Sequence, residues 1–221
     1  MSWDVLVGCE VSGVIRDAFR ALGHEAYSCD LKPSSSPYHI QGDIRELADR
    51  RWRLAILHPD CRYLAVSGAH LFNKPGRREL QREAIDFFMW CVNFPADMVA
   101  VENPISIMST VYRKPDQYIQ PYQFGDDASK NTCLWLLNLP PLEINPADYV
   151  QPRIVNGKKR WANQTDSGQN RLGPSPTRAA DRAQTYPGPA KAMAIQWGNL
   201  LRAALNPTAQ EEKPRLEQSP E

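Results

Sequence analysis

The chain has 221 residues, 42% of them hydrophobic and 23% charged, which is the balance of a globular protein that can bury a substantial core. Its net charge of +1 excludes a strong overall attraction to nucleic acid or to membranes, so any such partner needs a local patch. No apolar run approaches the roughly 18 residues of a membrane span, and the N-terminus does not have the pattern of a signal peptide. The five cysteines include no CxxC pair, which favours a reducing cytoplasm over a disulfide framework or a zinc site.

The predicted elements alternate between short apolar strands and helices. A first strand, Val5–Cys9, precedes a helix over residues 13–22, with Ser12 as its N-cap and Gly23 just after its end. The later elements are a strand at 24–30, a loop at 31–39, a short helix opening at 42–44, a strand at 54–58, a helix at 77–92, strands at 98–103 and within 132–142, and a helix at 190–205. This alternation predicts a single α/β domain with a doubly wound, mostly parallel sheet.

Polar side chains stand at the ends of four predicted strands: Glu10, Asp30, Cys61 and Glu102. Ligands of doubly wound sheets bind at the carboxyl ends of the strands, so these residues are candidates for a functional site. Asp30 falls where such folds often place an acid that binds ribose hydroxyls. Asp43 is as readily a helix cap as a ligand.

The cysteines divide into two groups. Burial is the usual fate of a free cysteine, and it is predicted for the four that lie in strands or on a helix core face: Cys9, Cys29, Cys91 and Cys133. Cys61 differs because Pro59 and Asp60 end the strand and turn the thiol toward the crevice. It is either a structural thiol in a turn or a nucleophile. Glu102 is likewise either a carboxylate pinned by backbone amides, or a general acid or a hydrogen-bonding partner for a base.

Residues 145–186 are rich in Gly, Pro, Asn, Gln and Ser, which predicts a long, mostly irregular segment. Within residues 151–182, seven basic residues stand against two acidic ones, and Trp161 lies among them. Such a composition suits contacts to phosphates and bases, or is simply a solvated loop. We expect one domain over residues 1–205, with the basic segment at 151–186, and a disordered tail at 206–221.

Taken in order, several short motifs resemble the cytosine-C5 DNA methyltransferases, and more closely their short, phage-type members. The likeness runs from residue 5 to about residue 200. The motifs are GCEVSG at 8–13, the acid Asp30, GDI at 42–44, PDC at 59–61, VENP at 101–104 and QWGN at 196–199. PDC looks like the family's Pro-Cys nucleophile motif and ENP like its Glu-Asn motif. The resemblance implies a Rossmann-like methyltransferase fold.

The resemblance also implies a chemistry. Cys61 would add as a thiolate to C6 of cytosine, while Glu102 hydrogen-bonds N3 and helps to protonate the ring. The base must leave a duplex, or lie in a single strand, to reach them. The cofactor would be S-adenosylmethionine, held by Ser12, Gly13, Asp30, Asp43 and Asn199. DNA would be contacted by basic residues of the later half of the chain: Lys130, Lys158, Lys159, Arg160, Arg171 and Arg178.

Three departures from the family pattern bear on activity. The family's Phe-x-Gly-x-Gly-Gly cofactor loop is reduced to CEVSG at residues 9–13. Asp60 stands beside the thiol and would raise its pKa unless Arg62 or Lys130 compensates. No Gln-x-Arg-x-Arg motif is present, and Lys130 would supply its cation. The leading alternative is a non-catalytic DNA-binding relative, and another is an enzyme that modifies a free nucleotide or single-stranded DNA. The expected setting is the cytoplasm of a bacterium or phage-infected cell, with no metal and no membrane.

Overall fold

A seven-stranded sheet forms the centre of the molecule, which a computed structural model describes over residues 3–175 and 185–204. Its strands are β1 (Trp3–Gly8), β2 (Ala26–Asp30), β3 (His39–Gln41), β4 (Trp52–Leu57), β5 (Ala96–Pro104), β6 (Gln117–Ile119) and β7 (Thr132–Leu137). They are ordered β3-β2-β1-β4-β5-β7-β6, and only β7 runs antiparallel to its neighbours in this sheet. The predicted α/β class with a mostly parallel sheet is confirmed, and the strand order is consistent with a Rossmann-like methyltransferase fold.

Helices cover both faces of this sheet, as predicted. The helices are α1 (Val14–Ala21), α2 (Arg77–Val92), α3 (Met108–Val111) and α4 (Pro187–Ala203). Leu54 and Ile56 of β4 pack on the side of α1 and α4, whereas Ala55 and Leu57 pack on the side of α2. Because β4 is buried on both faces, its sequence after Arg53 is a continuous apolar run rather than an alternation.

The start of α1 differs from the prediction. Gly13 rather than Ser12 is the N-cap, with a φ of 75°, and the Ser12 side chain makes only a long 3.4 Å bond to the amide of Val14. A Cβ at Gly13 would lie 2.1 Å from Nη2 of Arg16, so both the backbone conformation and the close contact require glycine. At the other end of the helix, Gly23 has a φ of 84° just past the last turn, as predicted.

Several short elements were not predicted from the sequence. The strands β3 and β6 have three residues each and lie at the two edges of the sheet, so they are too short to show a hydrophobic period. The segment 145–186 contains a hairpin of β8 (Arg153–Val155) and β9 (Lys158–Arg160), so its description as irregular is corrected there. Asn156 and Gly157 form the turn with positive φ values, which an Asn-Gly pair between two strands signals locally.

No helix within residues 3–175 and 185–204 is long and apolar enough to cross a membrane. The predicted tail at 206–221 and the predicted DNA-contacting Arg178 lie outside the described residues. The domain boundary at residue 205 stays a prediction.

Candidate active site

The parallel strands bring four predicted residues to one edge of the sheet. Glu10 follows β1, Asp30 ends β2, Cys61 follows β4, and Glu102 lies near the end of β5. Since β2, β1, β4 and β5 are consecutive neighbours in the sheet and all parallel, their carboxyl ends open on the same side. This is the edge at which doubly wound folds bind ligands.

The loop after β1 is organised by the carboxylate of Glu10, which is only 7% exposed. One oxygen accepts a hydrogen bond from the amide of Ser12 at 2.6 Å, and the other accepts one from the amide of Gly13 at 2.9 Å. These two amides, which would otherwise point at a ligand, are therefore already occupied by a protein carboxylate. Sequence reasoning placed Glu10 at the strand end but gave it no role.

The GDI motif lies against the end of β1. A Cβ on Gly8 would stand 1.9 Å from the side chain of Ile44, so glycine is needed for the motif to pack this closely. Asp43 caps the short 3-10 helix Ile44–Leu47 by accepting from the amide of Arg45 at 2.9 Å. That backbone hydrogen bond is the main reason why the pKa of Asp43 lies below its ordinary value. The capping interpretation of Asp43 is thus confirmed, and its other carboxylate oxygen accepts from the guanidinium of Arg45 at 3.0 Å.

Asp30 and Asp43 lie close enough together that the charges of both raise the pKa of the Cys9 thiol. Burial raises the pKa of Cys9 to about 12, and the negative charges of these two aspartates add to the effect. Asp30 itself accepts a hydrogen bond from the amide of Lys32 at 2.9 Å. The structure therefore brings two of the predicted cofactor residues together beside the loop after β1.

Asn199 does not lie with the other proposed cofactor residues, Asp30 and Asp43. It is exposed near the end of α4, next to Gly198, where a Cβ would lie 2.6 Å from Nε2 of His24. His24 pairs with Asp4 on β1, and Arg53 at the start of β4 donates to the carbonyl of Leu201. These contacts lie at the amino ends of the strands. The expectation that Asn199 completes the cofactor pocket is therefore wrong, because α4 runs from one edge of the sheet to the other.

Cys61 lies half-buried in the loop after β4. The loop is tied to β5 by the buried side chain of Asn103, which donates to the carbonyl of Pro59 at 2.8 Å. Burial raises the pKa of the Cys61 thiol; the charges of Asp60 and Glu102 raise it further, while a backbone hydrogen bond and Lys130 act in the opposite direction. In the free protein this thiol is therefore held in its protonated form at neutral pH.

Glu102 is held by a residue that sequence reasoning did not single out. Its carboxylate lies 2.6 Å from Nδ1 of His58, and the two side chains are only 12% and 10% exposed. Burial opposes ionisation of Glu102, but the hydrogen bond from His58 and the charge of Lys130 outweigh it, so its pKa lies below the ordinary value. The interpretation of Glu102 as a carboxylate pinned by the backbone is wrong, since its partner is an imidazole, while its role as a general acid or as a hydrogen-bonding partner for a base stays a prediction.

A signal for His58 was present in the sequence. It directly follows the apolar run of β4 and precedes Pro59, so it is the first polar residue beyond a buried strand. Such a residue falls at the ligand-binding edge of a parallel sheet. What no pattern could show is that His58 and Glu102, which are 44 residues apart, would meet.

A narrow pocket lies beside this pair. It is lined by His58, Glu102, Lys130, Thr132 and Tyr186, together with the apolar side chains Ile119, Pro121, Pro189 and Met193 and with Thr185. Lys130 is thus a pocket residue rather than part of an exposed basic surface. Its charge acts on both Cys61 and Glu102, which is the position that sequence reasoning gave to the family's missing cation.

The basic segment packs onto the loop that carries Lys130. Asn163 exchanges two hydrogen bonds with the backbone of Ser129, the amide of Ala162 donates to Asp127, and Trp161 stacks on Tyr122 with ring centroids 4.3 Å apart. The Nδ2 of Asn163 also donates to the hydroxyl of Tyr186. The segment is therefore fastened to the pocket instead of being a free solvated loop.

Three arginines of this segment converge on a second, polar pocket, lined by Asp127, Gln151, Arg153, Arg160, Ala162 and Arg171. Arg153 pairs with Asp166, and the carbonyl of Gln164 accepts from both Arg153 and Arg171. Arg160 donates to the carbonyl of Asp166. Two of the predicted DNA-contacting residues, Arg160 and Arg171, thus share one site with Arg153, while Lys158 and Lys159 are exposed on the hairpin.

No protein-family model and no curated protein matches this chain. Among solved structures, the crystal structure of the S. pombe Dnmt2 methyltransferase is similar with a TM-score of 0.39 and 16% sequence identity, over 64% of this chain. The similarity covers 51% of that protein's chain, so this chain spans about half its length. A superposition this weak carries no functional argument, and the description of the fold rests on the strand order.

Proposed function

We propose that this protein transfers a methyl group from S-adenosylmethionine to C5 of a cytosine in DNA, through a covalent adduct at Cys61. The observation that carries the proposal is that Cys61 and Glu102 lie at the carboxyl ends of the adjacent strands β4 and β5, where the charge of Glu102 acts on the thiol and the charge of Lys130 acts on both. A thiol, a buried carboxylate and a cation at one edge of the sheet are the groups that addition to C6 of cytosine requires.

The chemistry of the carboxylates near β1 and β2 fits the cofactor. S-adenosylmethionine carries two cationic groups and two ribose hydroxyls, and Asp30 and Asp43 lie together at this edge with Glu10 nearby. Carboxylates can accept from hydroxyls and attract cations. When bound, the cofactor supplies an electrophilic methyl group. We propose Asp30 and Asp43 as the residues that hold it, together with the Ser12-Gly13 turn, which would contact it through groups other than the two amides that Glu10 occupies.

Within the chain, each residue of the proposed site has one task. When substrate binds, the sulfur of Cys61 bonds to C6, the electrons of the C5–C6 double bond shift through the ring toward N3, and the thiol proton passes to N3. Glu102, fixed by His58, holds the edge of the base that carries N3 and the exocyclic amine. After methylation, C5 loses its proton to solvent, the C5–C6 double bond re-forms as the sulfur leaves with the electron pair of the S–C6 bond, and the proton on N3 returns to the thiolate. The adduct is thus temporary.

DNA is proposed as the partner because the basic segment adjoins this pocket. Its three convergent arginines are suited to phosphate oxygens, which accept bidentate hydrogen bonds from guanidinium groups. The target base would reach the pocket by leaving the helix. The pocket is narrow in the free protein, so we expect the base to open it on entry.

The test is mass spectrometry of nucleosides from unmodified DNA that has been incubated with the protein and S-adenosylmethionine. We expect 5-methyldeoxycytidine with the unaltered protein and none with Cys61→Ser, while cofactor binding by calorimetry is the same for both. The Ser34→Ala variant, at an exposed position of the loop before β3, controls for handling and should be active. If the cofactor binds but no modified base forms, the substrate is a different one.

The second candidate is a non-catalytic DNA-binding protein of the same fold. It is favoured by one observation, the raised pKa of Cys61, since the buried thiol and its acidic neighbours resist formation of a thiolate. This function predicts DNA binding with no saturable affinity for S-adenosylmethionine, so the calorimetry above separates the two candidates.

A further inference from the structure

His58 has one nitrogen with no role in the free protein. Its Nδ1 is bonded to Glu102, whereas its Nε2 is buried and has no hydrogen-bond partner in the part of the chain that the structure describes. The side chain is 10% exposed and lines the pocket that also contains Lys130. Buried polar atoms are nearly always satisfied, so an unpaired one in a pocket points to a group that arrives with a ligand.

The bond to Glu102 decides which chemical group that is. An ionised carboxylate only accepts hydrogen bonds, so Nδ1 must carry a proton and donate it. In a neutral imidazole the other nitrogen is then an acceptor. In its neutral form His58 therefore presents a lone pair at Nε2 and needs a donor.

We infer that Nε2 of His58 accepts a hydrogen bond from the exocyclic amine of the base that binds beside Glu102. This inference rests on the proposed function and adds to it a residue that selects the base. Cytosine carries an amine at C4, but uracil and thymine carry a carbonyl oxygen there, which would face the lone pair of Nε2 and leave both atoms unsatisfied. His58 thus selects cytosine. Glu102 makes this selection possible because its carboxylate keeps the imidazole proton on Nδ1 and so leaves Nε2 as the acceptor.

The direct test uses the full chain labelled with nitrogen-15 in its four histidines, observed through long-range proton–nitrogen correlations. The His58 signals are assigned by their loss in His58→Asn. We expect the free protein to show a protonated Nδ1 and an unprotonated Nε2. Addition of 2′-deoxycytidine should shift the Nε2 signal, and the same concentration of 2′-deoxyuridine should not. A protonated Nε2 in the free protein, or an equal or absent response to both nucleosides, would overturn the inference.

The His58→Asn variant separates recognition from positioning. The amide nitrogen of Asn stands close to where Nδ1 stood and can still donate to Glu102, but the acceptor at Nε2 is removed. We expect cofactor affinity and melting temperature to change little. Binding of a short single-stranded oligonucleotide with one cytosine should weaken about tenfold relative to its uracil counterpart, as expected for one buried hydrogen bond. An unchanged preference for cytosine in a folded variant would contradict the inference.

These measurements do not depend on catalysis. A deoxycytidine-specific shift at Nε2 in a protein that never methylates DNA would leave the base selection standing and remove the proposed transferase function. Methylation of cytosine without any such shift would support the proposed transferase function and remove the base selection by His58. The Glu102→Gln variant adds a second check. Its amide can donate to Nδ1 of His58, which permits the imidazole tautomer with the proton on Nε2. We therefore expect the preference for cytosine to fall in this variant.

Discussion

Asp60 and Arg62, on either side of Cys61, form an ion pair with 2.6 Å between Nε and the carboxylate oxygen. Asp60 also accepts from the amide of Arg62 at 2.9 Å, so the three residues form one tight turn. Arg62 partly neutralises the carboxylate of Asp60. The thiol nevertheless keeps a raised pKa, because burial is the larger cause.

Removal of the Asp60 charge should make Cys61 more reactive. In Asp60→Asn the turn can persist, since the Asn oxygen can still accept from the amide of Arg62, while one of the charges that raise the thiol pKa is lost. We expect alkylation of Cys61 by iodoacetamide at pH 7.5 to become about two- to fivefold faster, as measured by peptide mass spectrometry. Arg62→Gln should make it slower. Equal rates in all three proteins would show that the ion pair has no influence on the thiol.

Glu102 should contribute to stability in a pH-dependent way. Its folded-state pKa lies below the ordinary value of 4.5, so its charged form stabilises the fold above pH 4.5 and this contribution is lost as the pH falls further. Urea unfolding of the unaltered protein and of Glu102→Gln should therefore differ most near pH 7, and the difference should shrink below pH 4.5. A difference that is constant from pH 7 to pH 3.5 would contradict this assignment.

The start of α4 should be sensitive to one added methyl group. The amide of Gly188 donates to Asp126 at 2.8 Å, and a Cβ there would lie 2.3 Å from the carbonyl oxygen of Phe124. We expect Gly188→Ala to lower the free energy of unfolding by about 1–3 kcal/mol despite the better helix propensity of alanine. Gly173→Ala is the matched control, because nothing lies within 4 Å of its Cβ position. Urea denaturation measures both, and equal losses would rule out the steric cause.

The three-arginine pocket should contribute to DNA affinity through phosphate contacts. Arg171→Gln removes one cation there, so we expect weaker binding of an oligonucleotide, with the slope of log affinity against log salt reduced by about one. Arg82→Gln, at an exposed position of α2 on the other side of the sheet, changes the net charge equally and is the control. If both variants have the same salt slope, the pocket is not a phosphate site.

The order of strands and helices follows largely from local patterns in the sequence. The apolar run at 54–57 and the amphipathic stretch Arg77–Val92 predict their elements because each is long enough to show a period or a continuous buried face. The parallel arrangement then places Cys61 and Glu102 at one edge without further information, since carboxyl ends of parallel strands share an edge. The short strands β3 and β6 could not be predicted in this way, because their pairing at the edges of the sheet defines them and no local pattern in the sequence does.

The sequence by itself thus determined the class of fold and the edge at which the candidate residues lie. Only the tertiary structure decided which of them touch: Glu10 closes its own loop, Glu102 pairs with His58, and Asn199 lies away from the site. The physical reason is that side-chain contacts between distant segments depend on strand order, register and the face to which each residue points. A residue type and its spacing along the chain carry little information about these.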